Sequence, residues 1–116
     1  MAGALSGLKV LDCTHVIAGA WCSMMLADLG ADVIKIEPPK GEFMRVMGPA
    51  RNRGMGSYFL TINRNKRSIV LDLKSSAGRS TLKRLAETAD VLVHNMRIAA
   101  AERMGLTYAA LSAGNP

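Results

Sequence analysis

A strand, a helix and a second strand fitted into the first 37 residues constrain this chain more than any other feature. Lys9 to Thr14, centred on Val10 and Leu11, reads as a strand that ends in a loop from Thr14 to Gly19. From Ala20 to Leu29 the apolar residues Trp21, Met25 and Leu29 recur at i, i+4 and i+8, with Met24 and Leu26 widening the stripe, which is the period of a helix. Gly30 is placed to close that helix in a left-handed cap. Asp32 to Glu37 then carries Val33, Ile34 and Ile36 in a second strand, stopped by Pro38-Pro39. Strand, helix and strand within about 30 residues form a βαβ unit, so the two strands are expected to lie parallel with a right-handed crossover.

The remaining chain extends the same plan. Lys40 to Ser57 has no period and is expected to be a long, partly mobile loop, and Tyr58 to Ile62 a short helical or extended approach to the next strand. In the stretch Asn63 to Lys74, the run Ile69, Val70, Leu71 and Leu73 suits a strand covered on both faces, with Arg64, Lys66, Arg67 and Lys74 crowded at its ends. Ser75 or Ser76 can cap a helix whose Leu82, Leu85, Ala86 and Ala89 share a face. Val91 to His94 reads as a fourth strand, followed by short helices near Ala99 to Met104 and Tyr108 to Ala113. Every connection between strands is long enough for a crossover, which predicts an α/β, Rossmann-like fold with one mainly parallel sheet and flanking helices. No fifth strand succeeds the last helices, so the sheet is expected to be incomplete at the C-terminus.

Composition narrows the function. Aromatic residues make up only 4% of the 116, so the core must come from Val, Ile, Leu, Ala and the eight Met. The net charge of +6 is concentrated in the middle, where Arg45, Arg51, Arg53, Arg64, Lys66, Arg67 and Lys74 face a single acid, Asp72. Such a segment is expected to attract anions, whether cofactor phosphates or nucleic acid. Cys13 and Cys22 make no disulfide framework and have no metal-ligand spacing with His15 and His94, so buried free thiols and no metal are expected. With no signal peptide and no run of about 18 apolar residues, the sequence predicts a cytoplasmic protein with no membrane contact. It contains no G-x-G-x-x-G, G-x-x-x-x-G-K, G-x-S-x-G or H-E-x-x-H pattern.

Five blocks in order carry a resemblance over nearly the whole chain: Leu5 to Asp12, Ala27 to Glu37, Asn65 to Ile69, Ala89 to Asn95 and Glu102 to Leu106. Together they resemble the N-terminal region of the class III coenzyme A transferases, a family that includes formyl-CoA transferase, carnitine and bile-acid CoA transferases and alpha-methylacyl-CoA racemase. The resemblance implies that residues 1–116 are a CoA-binding, Rossmann-like portion of a larger domain, a fragment of a chain that in this family pairs as interlocked homodimers. It implies coenzyme A or acyl-CoA as ligand, with a carboxylic acid as the second substrate. On this basis the loop with Val16, Ile17 and Ala18 would lie along the thioester, and Leu71, Asp72, Leu73 and Lys74 would take the adenine end. Asn95, Met96 and Arg97 would line the third loop, and Arg103 would meet phosphate.

Three departures qualify the resemblance. Ile17 stands where formyl-CoA transferase has a glutamine, which argues against formyl transfer; Ile98-Ala99 replaces the usual Pro-Gly; and Pro38 replaces an arginine, leaving Lys40 as a substitute. The family's nucleophilic aspartate lies beyond position 116, so no catalytic residue is expected within this chain and the fragment alone is expected to be inactive. Asp12 and Asp32 read as structural. A racemase-type parent, a basic module binding RNA or another polyanion, and an interaction domain with no ligand stand as alternatives. Nucleic acid is disfavoured, since only Phe43, Tyr58 and Phe59 lie near the cations for base stacking.

Overall fold

The structure, a computed structural model, describes residues 2–116. In chain order it contains β1 (Lys9–Asp12), α1 (Ala18–Asp28), β2 (Asp32–Glu37), a 3-10 turn (Phe43–Val46), α2 (Ser57–Ile62), β3 (Arg67–Val70), α3 (Ser76–Ala86), β4 (Val91–Val93), α4 (Ile98–Arg103) and α5 (Tyr108–Ser112). The strands form one sheet in the order β3-β2-β1-β4, and every pairing is parallel, as the connection lengths require. Val10 is in register with Val33 on one side and Val91 on the other, and Ile36 with Ile69.

Because side chains alternate along a strand, the two faces of this sheet acquire different chemistry. On one face Leu11, Cys13 and Ile36 pack with Leu73, Leu82, Ala86, Ala101 and Leu106 in a continuous apolar core beneath α3 and α4. On the other, Val10 and Val33 pack with Ala27 and Ala31, but the next residues in the same alternation are Asp12, Lys35 and Glu37, all at most 2% exposed. That half of the sheet therefore buries ions.

Local signals explain the helix ends. Gly30 takes φ of 104°, open to glycine at little cost, and its N–H reaches the Ala27 carbonyl to end α1. Ser75 is the residue that caps α3, its hydroxyl accepting from the Gly78 N–H at 3.0 Å.

Four expectations require correction. The strand at β3 is not covered on both faces: it lies at the sheet edge, ends at Val70 rather than Leu73, and leaves Val70 56% exposed. The Trp21, Met25 and Leu29 stripe of α1 faces outward, each residue about half exposed, while Ala20, Ser23, Met24 and Ala27 face the sheet. Three of those four are small, which lets the helix axis approach the strands closely. The segment 40–57 is not structureless, since it holds the 3-10 turn, an antiparallel bridge between Ala50 and Gly56, and the buried Glu42 and Met44. Of the two thiols, Cys13 is buried as expected but Cys22 is exposed.

Candidate functional site

A cavity of about 460 Å³ opens at the carboxyl ends of the strands, where parallel sheets place their ligands. Each strand contributes to it: Cys13 and His15 follow β1, Pro38 to Lys40 follow Glu37 of β2, Leu71 to Lys74 follow β3, and Met96 follows β4. Met104 and Ile36 complete a largely hydrocarbon wall, with the amines of Lys40 and Lys74 on residues at its border.

Of the residues singled out from sequence, Leu71, Asp72, Leu73, Lys74 and Met96 line this cavity. Val16, Ile17 and Ala18 are exposed beside it and do not line it, and neither do Asn95, Arg97 or Arg103. Lys74, Arg97 and Arg103 are exposed, and none forms an ion pair among the described residues. Asn95 has a different task. Its Oδ1 accepts from the His15 N–H at 2.9 Å and its Nδ2 donates to the His15 carbonyl at 2.8 Å, so the amide braces the first loop.

That loop is held from every side. The Thr14 N–H donates to Asp12 Oδ1 at 2.9 Å, Lys35 Nζ donates to the Thr14 carbonyl at 3.2 Å, and the Val16 N–H donates to Glu42 Oε1 at 3.2 Å. Val16 sits at φ of 67°, a left-handed conformation that costs a β-branched residue roughly 1–2 kcal/mol. The second loop is braced as well. Arg79 Nη1 donates to the carbonyls of Leu73 and Lys74 at 3.2 and 2.8 Å. The backbone at Gly78 approaches the Asp72 carbonyl so closely that a Cβ there would lie 1.9 Å from its oxygen. Neither Glu42 nor Arg79 was singled out from sequence. No spacing rule marks them, because each reaches the site through a backbone contact fixed only by the fold.

The cations before β3 are mostly consumed internally. Lys66 Nζ donates to Asp12 Oδ2 at 2.8 Å with both side chains at most 2% exposed, and Lys35 Nζ stands 3.7 Å from the same oxygen. Arg45 grips both oxygens of Glu37 at 2.7 and 2.6 Å and lies 3.9 Å over the Phe59 ring. Arg64 pairs with Asp28 and Arg67 with Asp32 at the surface. Burial alone would raise the Asp12 carboxyl, but the Lys35 charge and hydrogen bonds from Lys66, Thr14 and Ser23 outweigh it and hold the group below the usual range. Glu37, also against burial, is pulled down to about 2 by Arg45, Ser68 and the Glu42 N–H. Burial, with Asp12 beside it, pushes the Cys13 thiol up to about 12, so this cavity-lining sulfur is no nucleophile at neutral pH.

The sequence from residue 5 to 116 matches the model of CoA-transferase family III. The chain belongs to that family. It is 43% identical to succinyl-CoA:mesaconate CoA-transferase of Haloarcula hispanica over 98% of its length, and 42% identical to succinate–glutarate CoA-transferase of Agrobacterium fabrum over 97%. The family III chain spans about 30% of the length of these curated relatives. A CAIB/BAIF family protein from Brucella suis superposes over the whole chain with a TM-score of 0.93 at 40% identity, covering 32% of that structure. Among the described residues, no helix is long and apolar enough to cross a membrane.

Proposed function

We propose that this chain is the CoA-binding part, residues 1–116, of a cytoplasmic class III transferase that moves CoA from an acyl-CoA to a carboxylic acid. The observation that carries the reading is the cavity at the strand ends. Its hydrocarbon wall of Leu71, Leu73 and Met96 suits a flat base, and three exposed cations with no ion pair among the described residues, Lys74 after β3, Arg97 after β4 and Arg103 at the end of α4, are available to meet phosphates. The rival polyanion reading is less well supported, because four of the seven cations between Arg45 and Lys74 are already paired with acids.

The aspartates of this chain, with Glu37, also support a binding role without chemistry of its own. Asp12 and Glu37 are buried in ion pairs, Asp28 and Asp32 are paired at the surface, and Asp90 accepts from the Lys9 N–H. Asp72 borders the cavity, but its Oδ1 accepts from the Lys74 N–H and shapes the loop. A carboxylate poised to attack a thioester would come from elsewhere in a homodimeric complete enzyme, and the fragment is inactive by itself. Calorimetry with CoA tests the binding. Lys74→Ala, Arg97→Ala and Arg103→Ala should each weaken it about tenfold to a hundredfold, as expected for one charge-assisted phosphate contact. Unchanged affinity in all three, or tighter binding of single-stranded RNA than of CoA, overturns the reading.

A further inference from the structure

We propose that Glu42 is a positioning residue for the ligand-facing loop, holding Val16 in its left-handed conformation and thereby setting how residues 15–18 stand against the cavity; this rests on the CoA-binding reading above. Glu42 is 2% exposed, and one of its oxygens accepts from the Val16 N–H while the other has no hydrogen-bond partner among the described residues. The charges of Arg45 and Lys66 lie near enough to offset part of the cost of burying this carboxylate, but its one hydrogen bond among the described residues goes to the Val16 N–H, so that contact is the geometric constraint it supplies.

The geometry shows what that is. Thr14 and His15 are fixed by Asp12, Lys35 and Asn95, so φ of Val16 is the first torsion left to decide where Ile17 and the start of α1 go. Glu42 holds the N–H and Asn95 the carbonyl of the His15–Val16 peptide plane, and from that fixed plane the chain turns into α1 through Val16's φ of 67°, which a valine resists. Glu42 is itself anchored. Its own N–H donates to Glu37 Oε2 at 2.9 Å, and Glu37 is clamped by Arg45 and by Ser68 of β3, whose hydroxyl donates to it at 2.6 Å. A chain of contacts thus runs from the edge strand through Glu37 and Glu42 to the loop beside the ligand.

The test combines calorimetry of CoA with amide hydrogen exchange at Val16. In Glu42→Ala the CoA affinity should fall about tenfold and Val16 exchange should quicken at least about tenfold, because an unheld valine leaves the left-handed region. Adding Val16→Gly to that variant should restore most of the affinity, since glycine takes a positive φ freely. A residue serving only overall stability would show no such rescue. Glu42→Gln, which keeps an acceptor at the same reach, should stay within about threefold of the unaltered chain. Should Glu42→Ala not fold, Glu42→Met fills the same space without an acceptor and takes its place. The proposal is overturned if the acceptor-free variant binds CoA and protects Val16 as well as the unaltered chain, or if Val16→Gly rescues nothing. If the unaltered chain does not bind CoA, the functional reading fails instead, and the exchange rates alone decide the role of Glu42.

Discussion

The two faces of one four-stranded sheet are held together by opposite means. Beneath α3 and α4, Leu11, Ile36 and Leu82 exclude water with hydrocarbon, while beneath α1 and α2 the same strands turn Asp12, Lys35 and Glu37 inward. An apolar face tolerates change in proportion to the volume removed. An ionic face does not, because each charge is tolerable only while its partner remains. The polar face also carries the contacts that fix the 14–16 loop and the approach to β3, so geometry at the site depends on the less forgiving half of the core.

The sharpest way to break this comparison is to delete one side chain from each face. Asp12→Ala leaves the ammonium groups of Lys35 and Lys66 buried without their shared anion, and should cost about 3–5 kcal/mol or prevent folding. Leu82→Ala, on the apolar face, should cost about 2–4 kcal/mol and leave a chain that still folds. Urea unfolding of both measures the gap, and a larger loss for Leu82→Ala than for Asp12→Ala would mean that the ionic face is not the less forgiving one.

Acid separates the faces next. Glu37 has a folded pKa of about 2 against 4.5 for the free side chain. A depressed carboxylate contributes its stability above pH 4.5 and loses it as pH falls toward 2. At about 1.4 kcal/mol per unit this amounts to roughly 3 kcal/mol at most, with Asp12 acting in the same direction. Melting temperature should therefore drop steeply between pH 4.5 and 2.5, and a Glu37→Gln variant should begin less stable and show a shallower drop. A parallel decline in the two would remove Glu37 from the account.

Legibility in the sequence divides along the same line. The strands, their parallel pairing and the inner face of α3 came from periodicity and connection length, which are local properties. The inner face of α1 did not, because the helix is apolar all round: Ala20, Ser23 and Ala27 reach the sheet by being small, and no hydrophobic count separates them from Trp21 and Met25. The basic segment misled for a related reason. Its cations were plain, but their partners lie far away in sequence, with Asp12 54 residues from Lys66 and Asp32 35 residues from Arg67. Of the residues lining the cavity, Leu71 to Lys74 and Met96 were named through resemblance, whereas the contacts of Asn95, Glu42 and Arg79 required the fold.

The smallest effect makes the control. Arg67 and Asp32 form a bidentate pair at the surface, with side chains 66% and 44% exposed. Arg67→Ala should cost less than about 1 kcal/mol in unfolding free energy, and less still in high salt. A loss as large as that of Asp12→Ala would show that exposure does not separate the ion pairs that matter from those that do not.

The strand order has a consequence for how this chain assembles as it is made. β1 lies in the interior of the sheet, yet its partner on one side, β4, is made after β2 and β3, and the Lys9 N–H meets the Asp90 carboxylate across 81 residues. β1, β2 and β3 can zip together before Val91 to Val93 have left the ribosome. Until β4 emerges, β1 presents an unpaired row of backbone donors and acceptors, with Val10 and Leu11 beside it, to any other extended chain. Closing that long loop is the entropically slowest pairing in the sheet. The interval before it closes is when a nascent chain of this topology is most open to misassembly and to capture by chaperones.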